Sequence, residues 1–293
     1  MISPDRLGKG LYWQRAWKLV EGCTKVSPGC DNCWSEQETG MRAGHPNEKI
    51  RGRAQSVIDP QTGFDGRITC REDNLDLPLR TKTPTVWAVW NDLYHEDVPL
   101  DFICNAIQTM DRARRLGHVF LVLTKRSERM GNFLSAVGEP IPDHVWHGVT
   151  TENQDQANER APFLWDVPGK TFLSIEPMLE EIDLYRGGFS FLHNLRSPKG
   201  TKYKAIDAVL LGGESGKNAR PMHPDWARSV RDQCAAAGVP FFFKQWGEWG
   251  PEEMVGRASH RFPEGVRVSR VGKKAAGRIL DSRLHDDLPW VKP

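Results

Sequence analysis

Apolar residues along the chain gather in short uninterrupted runs separated by longer amphipathic stretches. Val119-Phe120-Leu121-Val122-Leu123 and Val209-Leu210-Leu211 are the clearest runs. Unbroken apolar runs of this length suit parallel strands covered on both faces, because helices lie against each side of such a sheet. The pattern predicts strands at Leu11–Val20, Gly66–Cys70, Thr85–Trp90, His118–Leu123, Val145–Val149, Thr171–Ile175, Ala205–Leu211 and Val239–Phe243. Between them the period lengthens. Leu100, Ile103, Ile107 and Met110 recur at three- and four-residue steps, Phe102, Ala106 and Ala113 widen the stripe, and Gly117 ends a helix predicted over Leu100–Leu116. A second helix is predicted over Asp225–Ala237, with Pro224 before it, Trp226, Val230 and Cys234 on one face, and Gly238 after it.

Eight strands alternating with helices predict an α/β fold, a full or partial (β/α) barrel, with an open doubly wound sheet as the alternative. Residues 1–250 form the expected barrel. Residues 186–204, rich in Gly, Ser and Lys, read as an insertion, and residues 251–293 as a C-terminal extension of short elements.

Composition narrows the class only modestly. Of 293 residues, 39% are hydrophobic and 27% charged, as in ordinary globular proteins. No run approaches the roughly eighteen apolar residues of a membrane span, and the N-terminus lacks the apolar core of a signal peptide. A cytoplasmic protein without membrane contact is the expectation. The net charge of +2 neither demands nor forbids a nucleic-acid partner.

The cysteines change the picture. Three of the six, Cys23, Cys30 and Cys33, fall on residues 22–34 with the spacing C-x6-C-x2-C. Three thiolates on one short loop can ligate three irons of a [4Fe–4S] cube and leave the fourth iron open to a small molecule. Pro28 and Gly29 can bend the chain so that the sulfurs converge. Structural zinc is the alternative; it wants a fourth ligand, and His45 is the nearest candidate.

The segment Gly22-Cys23-Thr-Lys-Val-Ser-Pro-Gly-Cys30-Asp-Asn-Cys33-Trp34 resembles the opening of the phage-associated three-Cys-motif proteins. That group is a branch of radical S-adenosylmethionine (SAM)-like barrels, similar in its cluster region to spore photoproduct lyase. The resemblance continues in order through Asn91-Asp92-Leu93-Tyr94-His95, Leu123-Thr124-Lys125-Arg126, His147-Gly148-Val149-Thr150-Thr151-Glu152-Asn153, Leu173-Ser174-Ile175-Glu176-Pro177, Gly212-Gly213-Glu214-Ser215-Gly216 and Phe243-Lys244-Gln245-Trp246-Gly247. It extends from about Gly22 to Pro289. It departs before the first cysteine, where Trp17-Lys18-Leu19 stands in place of the family's Trp-Asn-Pro.

The resemblance implies a [4Fe–4S] cluster on the three cysteines, SAM as cofactor, and an electron donor such as flavodoxin or ferredoxin. Each polar block follows a predicted strand, and barrel sites lie at the C-terminal strand ends. Trp34, Asn91, Asp92, Lys125, Thr150, Glu152 and Ser174 are the expected SAM contacts, with Asn91 or Asp92 accepting from the ammonium and Lys125 pairing with the carboxylate. Glu176 follows an apolar run and is costly to bury unpaired, so a partner is expected, with the SAM ribose, a substrate amine and Lys244 as the alternatives. Glu176 and Lys244 are the candidate catalytic pair, and Glu214, Gln245 and Trp246 the candidate substrate contacts. The implied substrate is a thymine-type base in DNA or a nucleotide, for rearrangement or repair. A metal-stabilised nucleic-acid-binding module and a non-radical barrel lyase or hydrolase are the competing readings.

Overall fold

The computed structural model describes all residues except 1, 60, 139–140, 187–188, 197–201 and 292–293. Seven strands form one parallel sheet, curled into a half-barrel. In chain order they are β1 (Arg15–Lys18), β2 (Val86–Trp90), β3 (Val119–Thr124), β4 (Val145–Thr150), β5 (Lys170–Ile175), β6 (Ala208–Gly212) and β7 (Phe241–Gln245), and each pairs with its neighbours in that order. Helices α1 (Trp34–Arg42) and α2 (Glu48–Gln55) connect β1 to β2. Helices α3 (Leu100–Arg112), α4 (Ser127–Val137), α5 (Gln154–Arg160) and α6 (Pro224–Ala237) follow β2, β3, β4 and β6.

Alternation along the strands sorts the core into two layers. Trp87, Val89, Phe120, Val122, Val149, Leu173, Leu211 and Phe243 pack outward against helix residues that include Ile103, Met110, Met130 and Val230. Val86, Leu121, Trp146, Phe172, Leu210 and Phe242 pack inward with Tyr12 and Trp290. Side chains two apart on a strand share a face. The inward rows therefore end, at the C-terminal edge, on Lys18, Trp90, Lys125, Thr150, Ser174, Glu176, Gly212 and Lys244.

Seven of the eight expected strands lie in this sheet. Gly66–Cys70 does not: only Thr69–Cys70 is extended, and it pairs antiparallel with Val20–Glu21 beside the cysteine loop. A two-residue pairing has too little apolar alternation to reveal its partner in the sequence. α6 starts at Pro224 and ends at Ala237, capped by Gly238, whose φ of 67° suits a residue without Cβ. In α3 the apolar face is Phe102, Ile103, Ala106 and Met110, whereas Leu100, at the first turn, is exposed.

The segment expected as a C-terminal extension is built into the barrel. Phe243 N donates to His285 O at 3.0 Å and Asp287 N to Phe241 O at 3.3 Å, so this segment covers the outer edge of β7. Trp290 then packs on Trp146 at 4.9 Å between ring centroids, and its Nε1 donates to Tyr12 O. A small antiparallel sheet of β8 (Trp249–Pro251), β9 (Ser259–Arg261) and β10 (Arg267–Arg270) lies between β7 and that closing segment in the chain. Around 186–204 the described residues make two short antiparallel pairings, Tyr185–Arg186 with Phe189–Ser190 and Leu195–Arg196 with Lys202–Tyr203; 187–188 and 197–201 of the expected insertion lie outside the described residues. No helix among the described residues is long and apolar enough to cross a membrane.

Candidate functional site

The cysteine loop lies against the C-terminal strand ends, held there by three buried or half-buried polar clamps. The first is Arg126, just past β3. Its Nη1 lies 3.6 Å from Cys23 Sγ and 3.0 Å from Asp92 Oδ2, Nη2 donates to Thr24 O at 3.1 Å and Thr24 Oγ1 at 2.7 Å, and Nε donates to Glu96 at 3.0 Å. The second is Glu152, past β4 and fully buried. Its Oε1 accepts the Gly29 backbone N–H at 3.1 Å, and its Oε2 pairs with buried Arg160 of α5 at 3.1 Å. The third is the pair Glu214–Arg220 past β6, 2.6 Å apart. Arg220 Nη2 donates to Pro28 O at 2.7 Å, and Asn32 Nδ2 donates to Glu214 at 3.1 Å.

These contacts assign several expected SAM or substrate contacts to holding the loop. Glu152 and Glu214 are occupied by Arg160 and Arg220. Asp92 accepts from Thr124 Oγ1 at 2.6 Å, from the Tyr94 and Lys125 amides, and from Arg126. Asn91 donates to Val20 O at 2.8 Å and accepts from Ser35 Oγ, which ties β2 to the start of α1. Buried polar groups need such partners, and each of these finds its own within the protein.

Other expected residues face the barrel mouth. Lys125 is half-buried and lies close enough to Cys33 to favour its thiolate, yet its ammonium makes no hydrogen bond or ion pair among the described residues. Trp34 follows Cys33 directly; it is 53% exposed and meets Trp90 edge-on at 4.5 Å. Thr150 and Ser174 are buried on adjacent strands, in register with each other. Glu176 and Lys244 do pair: Nζ lies 2.7 Å from Oε1 and 2.8 Å from Oε2. Gln245 Nε2 donates to Glu176 at 3.2 Å, while its buried Oε1 has no partner among the described residues.

Trp246 is a correction. It is 2% exposed, packs on Phe243 at 5.0 Å, and donates Nε1 to Ile279 O. Its ring belongs to the outer core and offers no face to a substrate. Arg126, Arg160 and Arg220 were given no role from the sequence, and Gly29 only that of bending the loop. Arg126 and Arg220 reach the cysteine loop across more than 100 residues, and Arg160 acts on the loop only through Glu152.

The three thiols influence one another electrostatically. Burial pushes the Cys23 thiol up to about 12; the Asp92 carboxylate and the other two cysteines add to this, and Arg126 opposes it. Burial also raises Cys33, against the pull of amides at the start of α1 and of Lys125. Among the described residues no group of three or more His, Cys, Asp or Glu converges as around one metal ion.

Residues 10–289 match a family described as Protein of unknown function (DUF5131). The chain belongs to that family. The DUF5131 match takes in the cysteine loop, all three clamps, the Glu176–Lys244 pair and the segment that covers β7. Neither the curated proteins nor the solved structures contain a match to the chain.

Proposed function

We propose that this chain is a radical SAM enzyme whose Cys23, Cys30 and Cys33 hold a [4Fe–4S] cluster. The observation that carries the reading is a three-cysteine loop anchored at the mouth of a parallel half-barrel, beside half-buried Lys125, which makes no hydrogen bond or ion pair among the described residues. Three ligands and an anchored loop suit a cube with one iron left for a small chelating ligand. Held by Cys23, Cys30 and Cys33, such a cluster would supply the one-electron reduction of SAM that gives radical hydrogen-abstraction chemistry.

The chain's own residues supply binding, orientation and shielding. Lys125 is available to a carboxylate next to Cys33. Trp34 and Trp90 wall one side of the mouth with aromatic surface. Thr150 and Ser174 line its floor. Glu176, Lys244 and Gln245 form the opposite wall, where the half-buried Glu176–Lys244 pair offers both charges to a substrate and Gln245 Nε2 holds the Glu176 carboxylate. The clamps on the loop keep the cysteines in place before anything binds, which lowers the ordering cost of binding.

The substrate class rests on the resemblance: a thymine-type base, in DNA or as a nucleotide, undergoing rearrangement or repair. A base within duplex would have to be flipped into the mouth. Anaerobic reconstitution with iron and sulfide, then reduction in the presence of SAM and assay for deoxyadenosine, tests the enzyme class.

A further inference from the structure

We propose that Arg126 and Asp92 form a buried charge pair that sets the reduction potential of the cluster held by Cys23, an inference that rests on the cluster reading above. Arg126 is the cation that touches a cysteine sulfur: its side chain is 5% exposed, and Nη1 lies 3.6 Å from Cys23 Sγ. The same nitrogen lies 3.0 Å from Asp92 Oδ2, and Asp92 is 8% exposed. Two buried charges of opposite sign thus stand at Cys23: a guanidinium in contact with the sulfur favours added negative charge there, and a carboxylate one hydrogen bond further off disfavours it. Glu96, 60% exposed, adds a more weakly felt negative charge on the far side of the guanidinium at 3.0 Å.

Reduction adds an electron to the cluster. Net charge nearby and hydrogen bonds to its sulfurs set how favourable that step is. Burial strengthens the effect, because little water screens the pair. Arg126 stabilises the reduced cluster both by its contact to Cys23 and by neutralising Asp92. Removing it takes away a cation and also leaves an anion unbalanced, so both changes lower the potential. Removing the Asp92 charge leaves Arg126 unbalanced and raises the potential. Opposite signs from two members of one hydrogen-bonded pair are what separate charge tuning from a loss of packing, which would move both variants alike.

The test is redox titration of the reconstituted protein, followed by EPR, on the full chain and three variants. Arg126→Met is expected to lower the midpoint, Asp92→Asn to raise it, and Glu96→Gln to raise it by less. A tenfold change in the one-electron equilibrium corresponds to 59 mV, and the two buried variants are expected to move at least that far. Glu96 is exposed, so its variant keeps the fold and gives a reading even where Arg126→Met or Asp92→Asn loses the cluster. Unchanged midpoints in the variants that hold a cluster, or shifts of the same sign, would overturn the proposal. A wild-type protein that takes up no cluster would instead overturn the cluster reading itself.

Discussion

Glu152 and Gly29 are 123 residues apart in the chain, yet the buried carboxylate accepts the glycine's amide hydrogen at 3.1 Å. A Cβ on residue 29 would stand 2.9 Å from Glu152 Cδ and 3.1–3.2 Å from both oxygens. The loop between the first two cysteines therefore needs glycine at this point, for close approach. Gly29→Ala is expected to push the loop off Glu152, cut iron uptake on reconstitution, and cost about 1–3 kcal/mol of stability. Iron content and urea unfolding of the variant check both effects; full iron loading would show that the contact does not position the loop.

The Glu152–Arg160 pair is almost wholly removed from solvent, at 0% and 2% side-chain exposure. Breaking a buried pair leaves an uncompensated charge, at about 3–5 kcal/mol. Glu152→Ala should lose stability in that range as well as cluster loading, and urea denaturation measures it. A loss below about 1 kcal/mol would mean that water reaches Arg160 in the folded protein.

Lys125 has a different expected signature. Its ammonium makes no hydrogen bond or ion pair among the described residues, so Lys125→Ala should leave unfolding and iron content near wild type. It should weaken SAM binding about tenfold or more, the value of a hydrogen-bonded charge contact. Equilibrium binding of SAM to the reconstituted protein measures this, and unchanged affinity would remove Lys125 from the SAM site.

The pH dependence of stability has a definite sign. His147 is fully buried beside Tyr94, with Nε2 3.0 Å from the phenol oxygen, and burial pushes its pKa down to about 3. The unfolded chain takes up that proton near pH 6.5, whereas the folded chain does not until far lower. Stability from this group is therefore complete above pH 6.5 and is lost as pH falls toward 3, at up to about 1.4 kcal/mol per pH unit. His95, His118 and His285 are lowered as well, chiefly by burial, and add to the same trend. Urea midpoints at pH 7 and pH 5 should differ, and His147→Gln should flatten the slope. Equal midpoints for the wild type would contradict this.

Much of the fold was legible because parallel strands covered on both faces must be apolar throughout: Val119–Thr124 and Ala208–Gly212 appear in the sequence as uninterrupted runs. The mouth was legible in part for a related reason. Polar residues that follow such runs, such as Lys125 and Glu176, can only emerge at the strand ends. The clamps were not legible, because nothing near Glu152 or Arg220 in the chain reveals a partner in the cysteine loop. Nor can sequence tell an aromatic wall from core. Trp34 and Trp246 both sit beside polar residues, yet one is half exposed and the other buried. Trp246→Ala is accordingly expected to cost about 3–5 kcal/mol as a core truncation, a loss that thermal unfolding would register without any substrate present.

The central claim stands on the three cysteines, and deoxyadenosine production tests it most directly. Wild-type protein reconstituted anaerobically, reduced and given SAM should form deoxyadenosine, and Cys23→Ala, Cys30→Ala and Cys33→Ala should each lose both the cluster absorption and the product. Protein that holds stoichiometric zinc, takes up no iron–sulfur cluster and leaves SAM intact would contradict the claim and favour a metal-stabilised binding module.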